Sequence, residues 1–421
     1  MSEKKRAGED TPATSAGAVE ARDPGAAGRA KGIPAGIWAL GFVSLLMDVS
    51  SELIHSLLPV FMVTVLGASA LAVGLVEGAA EATALIVKVF SGVISDYWGK
   101  RKPLAVFGYG LGALSKPLFA LASTIDWALT ARLVDRVGKG IRGAPRDALV
   151  AEIAPPHLRG AAFGLRQSLD TVGAFLGPLL GMVLMLAWAD DFRAVFWAAV
   201  IPAFLAVALL WLGVEEPERE RSPVRTNPIK RENLGRLGRP YWMIVAIGAS
   251  FTLARFSEAF LVLRAADGGL PIAYTPLVLI GMNVVYAASA YPLGKLSDSV
   301  SHGKLLAYGL LLLIAADVVL AYSNHWIWVW AGISLWGLHM GSTQGLLATM
   351  IAQTAPADLR GTAYGFFNLV CGLAMLAASA VAGLLWDRLG PSFTFMAGAA
   401  FSAVSLILLV WRMSRGKRHV A

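Results

Sequence analysis

The sequence predicts an all-α integral membrane protein with twelve transmembrane helices in two pseudo-symmetric six-helix halves. Three observations carry this: apolar runs recur along the whole chain, Lys and Arg gather in alternate loops, and two motifs repeat about half a chain apart. Of 421 residues, 56% are hydrophobic and 15% charged. The mean hydropathy is +0.62, which leaves too little polar surface for a soluble domain. The net charge of +8 comes from 36 basic and 28 acidic residues. In a soluble chain that excess would raise nucleic-acid binding. Here it sits in tails and loops, where excess Lys/Arg marks the cytoplasmic side, so no nucleic-acid partner is expected. The single cysteine, Cys371, excludes an intrachain disulfide and reads as a packing residue.

Residues 1–33 are rich in Ala, Gly and charge, without a signal-peptide pattern, and read as a disordered cytoplasmic tail. A span needs about 20 apolar residues. On that scale the N-terminal half, 34–213, holds spans near 36–62, 71–94, 103–122, 126–150, 160–186 and 191–213. Residues 214–239, with their Arg, Glu and Pro, form the cytoplasmic linker. The C-terminal half, 240–413, resumes near 240–264, 271–293, 303–322, 326–350, 361–386 and 391–412, and 414–421 is a basic cytoplasmic tail. The charged loops 99–102, 157–159, 303–304 and 358–360 fall on the side of the tails and linker, which puts both termini in the cytoplasm. Trp326, Trp328 and Trp330, near a span end, read as an interfacial belt.

The halves repeat one another. APPHLRGAAFG at Ala154 returns as APADLRGTAYG at Ala355, and GVISDYWGKRK at Gly92 returns as GKLSDSVSHGK at Gly294. Two matches at nearly one offset imply a parallel repeat in a single membrane orientation.

On these motifs the chain, over about residues 34–413, resembles the major facilitator superfamily, whose fold has twelve helices in two such halves. GVISDYWGKRK matches the family signature between the second and third helices. The resemblance implies gating roles: Gly92 and Gly99 permit close packing, Asp96 caps neighbouring helix ends, and Arg101 belongs to a charge relay. Asp298 keeps the acidic position in the second copy, although Ser301 replaces an expected Gly. ARLVDRVGKGIRG in the fourth span resembles the family motif with a buried arginine, here Arg132, associated in relatives with proton transfer. GAFLGPLLG (173–181) matches the antiporter motif, with Gly173, Gly177 and Gly181 as a smooth strip and Pro178 as a local bend; Met182 stands where a last Gly is usual.

The first span carries Asp48, Glu52 and His55 within a helical sector of roughly 60°. In the fourth span Arg132, Asp135, Arg136, Lys139, Arg142 and Arg146 share a sector of about 120°. An ionisable group at bilayer depth costs several kcal/mol unless it faces protein or water, so these cations demand acidic partners, a wet cavity or an anionic ligand. The resemblance places both spans on a central cavity. The expected pairing sets Asp48 and Glu52 against Arg132 and Arg136 as the proton-coupling group, with Glu77, Glu81 and Asp170 at similar depth. The competing reading is a set of structural ion pairs. His55, Lys139 and Arg142 are candidate substrate contacts; Asn283, Tyr286, Trp336, His339 and Gln344 offer an aromatic and hydrogen-bonding wall opposite, and Arg255 and Glu258 a local ion pair.

No nucleotide-binding loop, clustered Cys/His site or hydrolase elbow is present, so neither enzyme activity nor a cofactor is expected. The expected function is proton-coupled efflux of a small organic, anionic substrate by alternating access. It would act in a bacterial inner membrane as a monomer, with protons and the lipid bilayer as the other partners. The alternatives are a proton symporter importing an organic anion, a divalent-metal or metal-chelate exporter built on the Asp48–Glu52–His55 stripe, a lipid translocase and a transporter-like sensor.

Overall fold

The computed structural model describes residues 32–98, 100–216, 235–343, 346–356 and 359–418. Gly99 and Gln344 lie outside them, and at Gly92, Asp96 and Asp298 only the helical backbone is described. Much of the linker and both tail ends are likewise outside.

The described residues are helical with short connections and contain no strand. In chain order the helices are α1 Ala35–Thr64, α2 Ala70–Trp98, α3 Lys102–Ala120, α4 Ile125–Ile153, α5 Arg159–Ala187 and α6 Phe192–Gly213. They continue as α7 Arg239–Ala254, α8 Ala259–Asp267, α9 Pro276–Ser299, α10 His302–Tyr322, α11 Trp326–Thr343, α12 Leu346–Thr354, α13 Arg360–Leu389 and α14 Pro391–Arg418. Among the described residues nine segments are long and apolar enough to cross a bilayer. α4 falls short because the cations of its inner face lower its hydropathy, not because it is short. The seventh expected span is continuous in hydropathy yet breaks at Arg255–Glu258 between α7 and α8.

Local chemistry sets several ends. The Thr124 hydroxyl accepts the Trp127 N–H at 3.3 Å to start α4, and Asp191 accepts from the N–H groups of Arg193 and Ala194 at 3.0 and 3.1 Å to start α6. Arg193 donates to the carbonyls of Ala120 and Ala122, satisfying acceptors left open where α3 ends. Gly390 turns α13 into α14 at φ +96°, a conformation open to glycine.

α1 to α6 pack mainly on one another, as do α7 to α14; the two sets meet chiefly where α2 lies along α13, α5 along α9 and α1 against α8. Glycines make the α2–α13 seam close. Gly74 and Gly78 lie on Ser379 and Leu376, Gly383 on Ala70 and Leu71, Gly372 on Ala82 and Gly365 on Val89. The buried apolar side chains divide unevenly. Toward the α1–α2 turn one core draws on both sets of helices, joining Phe61, Phe192 and Phe196 to Phe256, Phe260 and Phe395. Toward the linker there are two separate cores, one around Met47, Tyr109 and Leu149, the other around Tyr241, Leu306 and Phe367. The apolar cores are thus shared at one end and separate at the other, while the α2–α13 seam holds along its length. Cys371 is buried in the second of the linker-end cores. Outer faces carry exposed Leu212, Ile407 and Phe107, a surface suited to lipid. Of the three tryptophans read as a belt, Trp328 faces outward, whereas Trp326 packs on the shared core and Trp330 against Gly281.

Candidate functional site: a charged cavity between the two halves

The fourth-span cations build the site from α4 outward. Arg132 is buried and donates from Nη2 to Glu77 Oε2 of α2 at 2.6 Å. One turn further along both helices, Arg136 Nη1 lies 3.4 Å from Glu81 Oε1. α2 and α4 therefore run parallel with matched charges. This corrects the expected pairing: Arg132 and Arg136 are engaged by α2, not by Asp48 and Glu52 of α1. On the other side of α4, Asp135 is buried between Lys116 Nζ of α3 at 2.7 Å and Arg136 Nε at 3.7 Å, and Lys116 also donates to Ser51 at 3.0 Å. A lone lysine in an apolar span is costly without a partner; that signal was present at Lys116 and passed over.

The α1 stripe divides. His55 sets Nδ1 3.3 Å from Glu52 Oε2 and Nε2 3.6 Å from Glu77 Oε2, so one imidazole stands between two carboxylates and links α1 to the Glu77–Arg132 pair. Asp48 turns instead toward Asp170 of α5, which also receives Arg146 and Arg166, each at 3.7 Å. The three residues do not converge, and among the described residues no group of three His, Cys, Asp or Glu side chains is placed to hold a metal ion. The glycine strip of α5 explains the stripe's position. A side-chain carbon at Gly173 would lie 2.6 Å from the Leu45 carbonyl oxygen, and one at Gly177 2.8 Å from that of Val49. These glycines let α1 press its acidic turns onto α5. With Gly181 and Pro178, which remains inside the helix, they lie within the N-terminal half.

Glu52, His55, Glu77, Glu81, Arg136 and Lys139 form one wall of a cavity of about 310 Å³; Arg255, Phe256, Glu258 and Asn283 stand opposite. The α7–α8 break thus delivers its backbone and the Arg255–Glu258 pair, 3.4 Å apart, to the cavity. A second cavity of about 270 Å³ lies nearer the linker, between Asp48, Arg142, Arg146 and Asp170. Lys139, Glu52 and Glu81 line both, and Lys139 forms no ion pair among the described residues.

Other expected contacts fall elsewhere. Arg142 stacks on Tyr109 with its guanidinium 4.8 Å from the ring centre. Trp336 is fully buried 5.6 Å from Phe256, and His339 is buried with Nδ1 2.7 Å from the Gly309 carbonyl oxygen, so neither faces the cavity. Their helix, α11, turns its polar side toward α10. Tyr286 is half-buried on the side of Arg255. Arg101 Nη1 lies 3.3 Å from Glu152 of α4, while the backbone N–H groups of Arg101 and Lys102 meet Glu216 at the start of the linker. The inter-half tie falls at the other end, where Asp387 of α13 accepts from the N–H groups of Ala70 and Leu71 at 2.9 Å each.

A family model described as Major Facilitator Superfamily matches residues 40–379. The chain belongs to the major facilitator superfamily. An uncharacterized MFS-type transporter of Methanocaldococcus jannaschii is 32% identical over 381 residues, 89% of this chain and 94% of that protein. The multidrug resistance protein MdtH of Edwardsiella ictaluri is 28% identical over 386 residues, 88% of this chain and 92% of that one. Among solved structures, a bacterial homolog of the human lysosomal transporter Spinster matches with a TM-score of 0.74 at 16% identity, over 89% of this chain and 95% of that one. The nucleoside transporter NupG matches with a TM-score of 0.74 at 11% identity, over 89% and 98%. These likenesses show the superfamily fold, and membership makes this chain a multi-pass membrane protein of a transporter family.

Proposed function

We propose that this superfamily member is a proton-coupled exporter of a small organic molecule carrying a basic group, working by alternating access with its tails and linker in the cytoplasm. The observation that carries the proposal is His55 set between Glu52 and Glu77 on the cavity wall. An imidazole in reach of two carboxylates passes a proton from one to the other by small movements. Glu52 has His55 as its ion-pair partner among the described residues, with Lys139 and Arg136 acting on it from beyond ion-pair distance. A proton and a basic substrate group therefore compete for Glu52, which is the physical requirement for exchange. Much of the cation surplus that pointed to an anion is paired: Arg132 with Glu77, Arg136 with Glu81, and Arg146 with Asp147 and Asp170; Arg142 stacks on Tyr109 and lines the second cavity. Lys139 remains to meet an acceptor on the same molecule. The separate cores at the linker end support loading of substrate from the linker side. As the two sets of helices, residues 34–213 and 240–413, rock about their shared contacts, Glu52 faces the opposite side and takes a proton as substrate leaves. The multidrug-resistance name of one relative supports outward transport.

The test uses proteoliposomes holding a pH gradient reported by a quenched dye, with basic dyes, organic acids and divalent cations added in turn. Basic dyes should dissipate the gradient, and Glu52→Gln should abolish the response. Dissipation by organic acids alone would return the substrate to the anionic class; substrate and proton moving in one direction would make the protein an importer.

A further inference from the structure

Asp317 lies in the last turns of the apolar helix α10, fully buried, and neither carboxyl oxygen has a hydrogen-bond partner among the described residues. Ionisation there without water or a rearranged partner costs several kcal/mol. The charged and titratable groups of the neighbouring helices are engaged elsewhere. Arg264 of α8 donates to the carbonyls of Leu320 and Ser323 and to Asp267; His339 of α11 is held by Gly309; Arg255 pairs with Glu258. On α14 the Ser402 hydroxyl is also buried without a partner, as is the indole N–H of Trp336 on α11.

Gly398 of α14 shows what lies next to the acid. A side-chain carbon built there would sit 2.6 Å from Asp317 Oδ2 and 2.9 Å from Cε1 of Phe256, so the carboxyl and the ring edge share the hollow that this glycine leaves. Phe256 belongs to the non-helical stretch between α7 and α8 and lines the central cavity. One aromatic ring thus separates a buried acid from the transport cavity. The ring is buried against Phe260, Phe395 and Trp336, so the path opens only when the α7–α8 break that carries it shifts. Buried polar groups lacking a protein partner are the groups that internal water serves.

We propose that Asp317 is a proton-exchanging site in the C-terminal half, reached from the central cavity when the Phe256 ring moves aside, so that the transporter carries a proton in each half. The inference rests on the proton-coupled reading of the cavity. The step is proton transfer alone: the O–H bond of the Asp317 carboxyl breaks, the proton passes to water entering from the cavity, and the reverse step reloads it.

Infrared difference spectra of the full chain in lipid nanodiscs test this without a substrate. The expected result is a carboxylic-acid carbonyl band that is absent from Asp317→Asn, falls as pH rises, and exchanges hydrogen for deuterium faster in Phe256→Ala. If Asp317→Asn does not assemble, Asp317→Glu, which moves the band, makes the assignment. No change in the acid region on substitution would overturn the proposal. So would a band constant from acid to alkaline pH and indifferent to Phe256→Ala, which would make Asp317 a fixed structural acid. Spectra of Glu52→Gln separate the two readings: an Asp317 band that still titrates there stands whether or not Glu52 carries the exchange.

Discussion

The carboxylate of Asp387, near the end of α13, receives the backbone N–H of Ala70, the first residue of α2, at 2.9 Å, and its second oxygen receives Leu71. A side chain from one half thus caps a helix of the other. The open N–H groups and positive dipole end of α2 make that bond both a cap and an electrostatic tie.

Removing the tie is expected to free the joined end. Loss of a cap costs about 0.5–2 kcal/mol, a shift of roughly 2- to 30-fold in the balance of conformers. In a Cys371→Ser background, spin labels at Val65→Cys and Leu389→Cys should show a longer-distance population that grows with Asp387→Ala. An unchanged distance distribution would mean that the seam, not the cap, holds this end.

The Arg132–Glu77 pair, 2.6 Å apart and buried, should behave as a unit. Arg132→Met leaves Glu77 with His55 alone and is expected to cost about 3–5 kcal/mol, as for other buried pairs broken on one side. The second change Glu77→Gln should recover most of that loss. Thermal unfolding in detergent reads both, and the double-mutant comparison isolates the pair.

Two glycines of α5 should respond with opposite sign. At Gly177 an added side chain meets the backbone of Val49, so Gly177→Val is expected to lower stability by about 1–3 kcal/mol. At Gly164 nothing lies within 4 Å, and Gly164→Ala should raise it by about 0.5–1 kcal/mol through helix propensity. Melting temperatures of the two variants decide the matter.

Lys139 and Lys116 should differ in reactivity. Lys139 lines both cavities, whereas Lys116 is buried between Asp135 and Ser51. A membrane-impermeant amine reagent applied from the linker side is expected to modify Lys139 and spare Lys116, read by peptide mass mapping. Equal labelling would show that α3 opens.

Much of the fold was legible because the bilayer demands long apolar helices: the first span, read as 36–62, is Ala35–Thr64. The break at Arg255–Glu258 was not, since an i,i+3 pair of opposite charge fits an unbroken helix as well as a broken one. At the site, the polar stripes of α1 and α4 could be read, because helical spacing alone sets which residues share a face. Their partners could not, because spacing says nothing about which helix stands opposite. One signal was available: Glu77 and Glu81 repeat the i,i+4 step of Arg132 and Arg136, as two parallel helices with complementary charges would. Trp336 and His339 sit away from the cavity for the same reason: polar character does not fix which helix face meets it. Asp317 left its mark as a single acid in an otherwise apolar run.

The glycine seam between α2 and α13 reaches from Ala70 to Val89 and holds along both the joined and the parted ends of the bundle. It resembles the spine of a book. If the spine stays shut while the pages turn, the travel is greatest along the far edge, where α5 faces α9, and smallest at the bound side. Lipids lying along α5 and α9 would feel each cycle as a change in cross-section, whereas those along the spine would see almost none. Bilayer lateral pressure should therefore bias the transporter through one flank only.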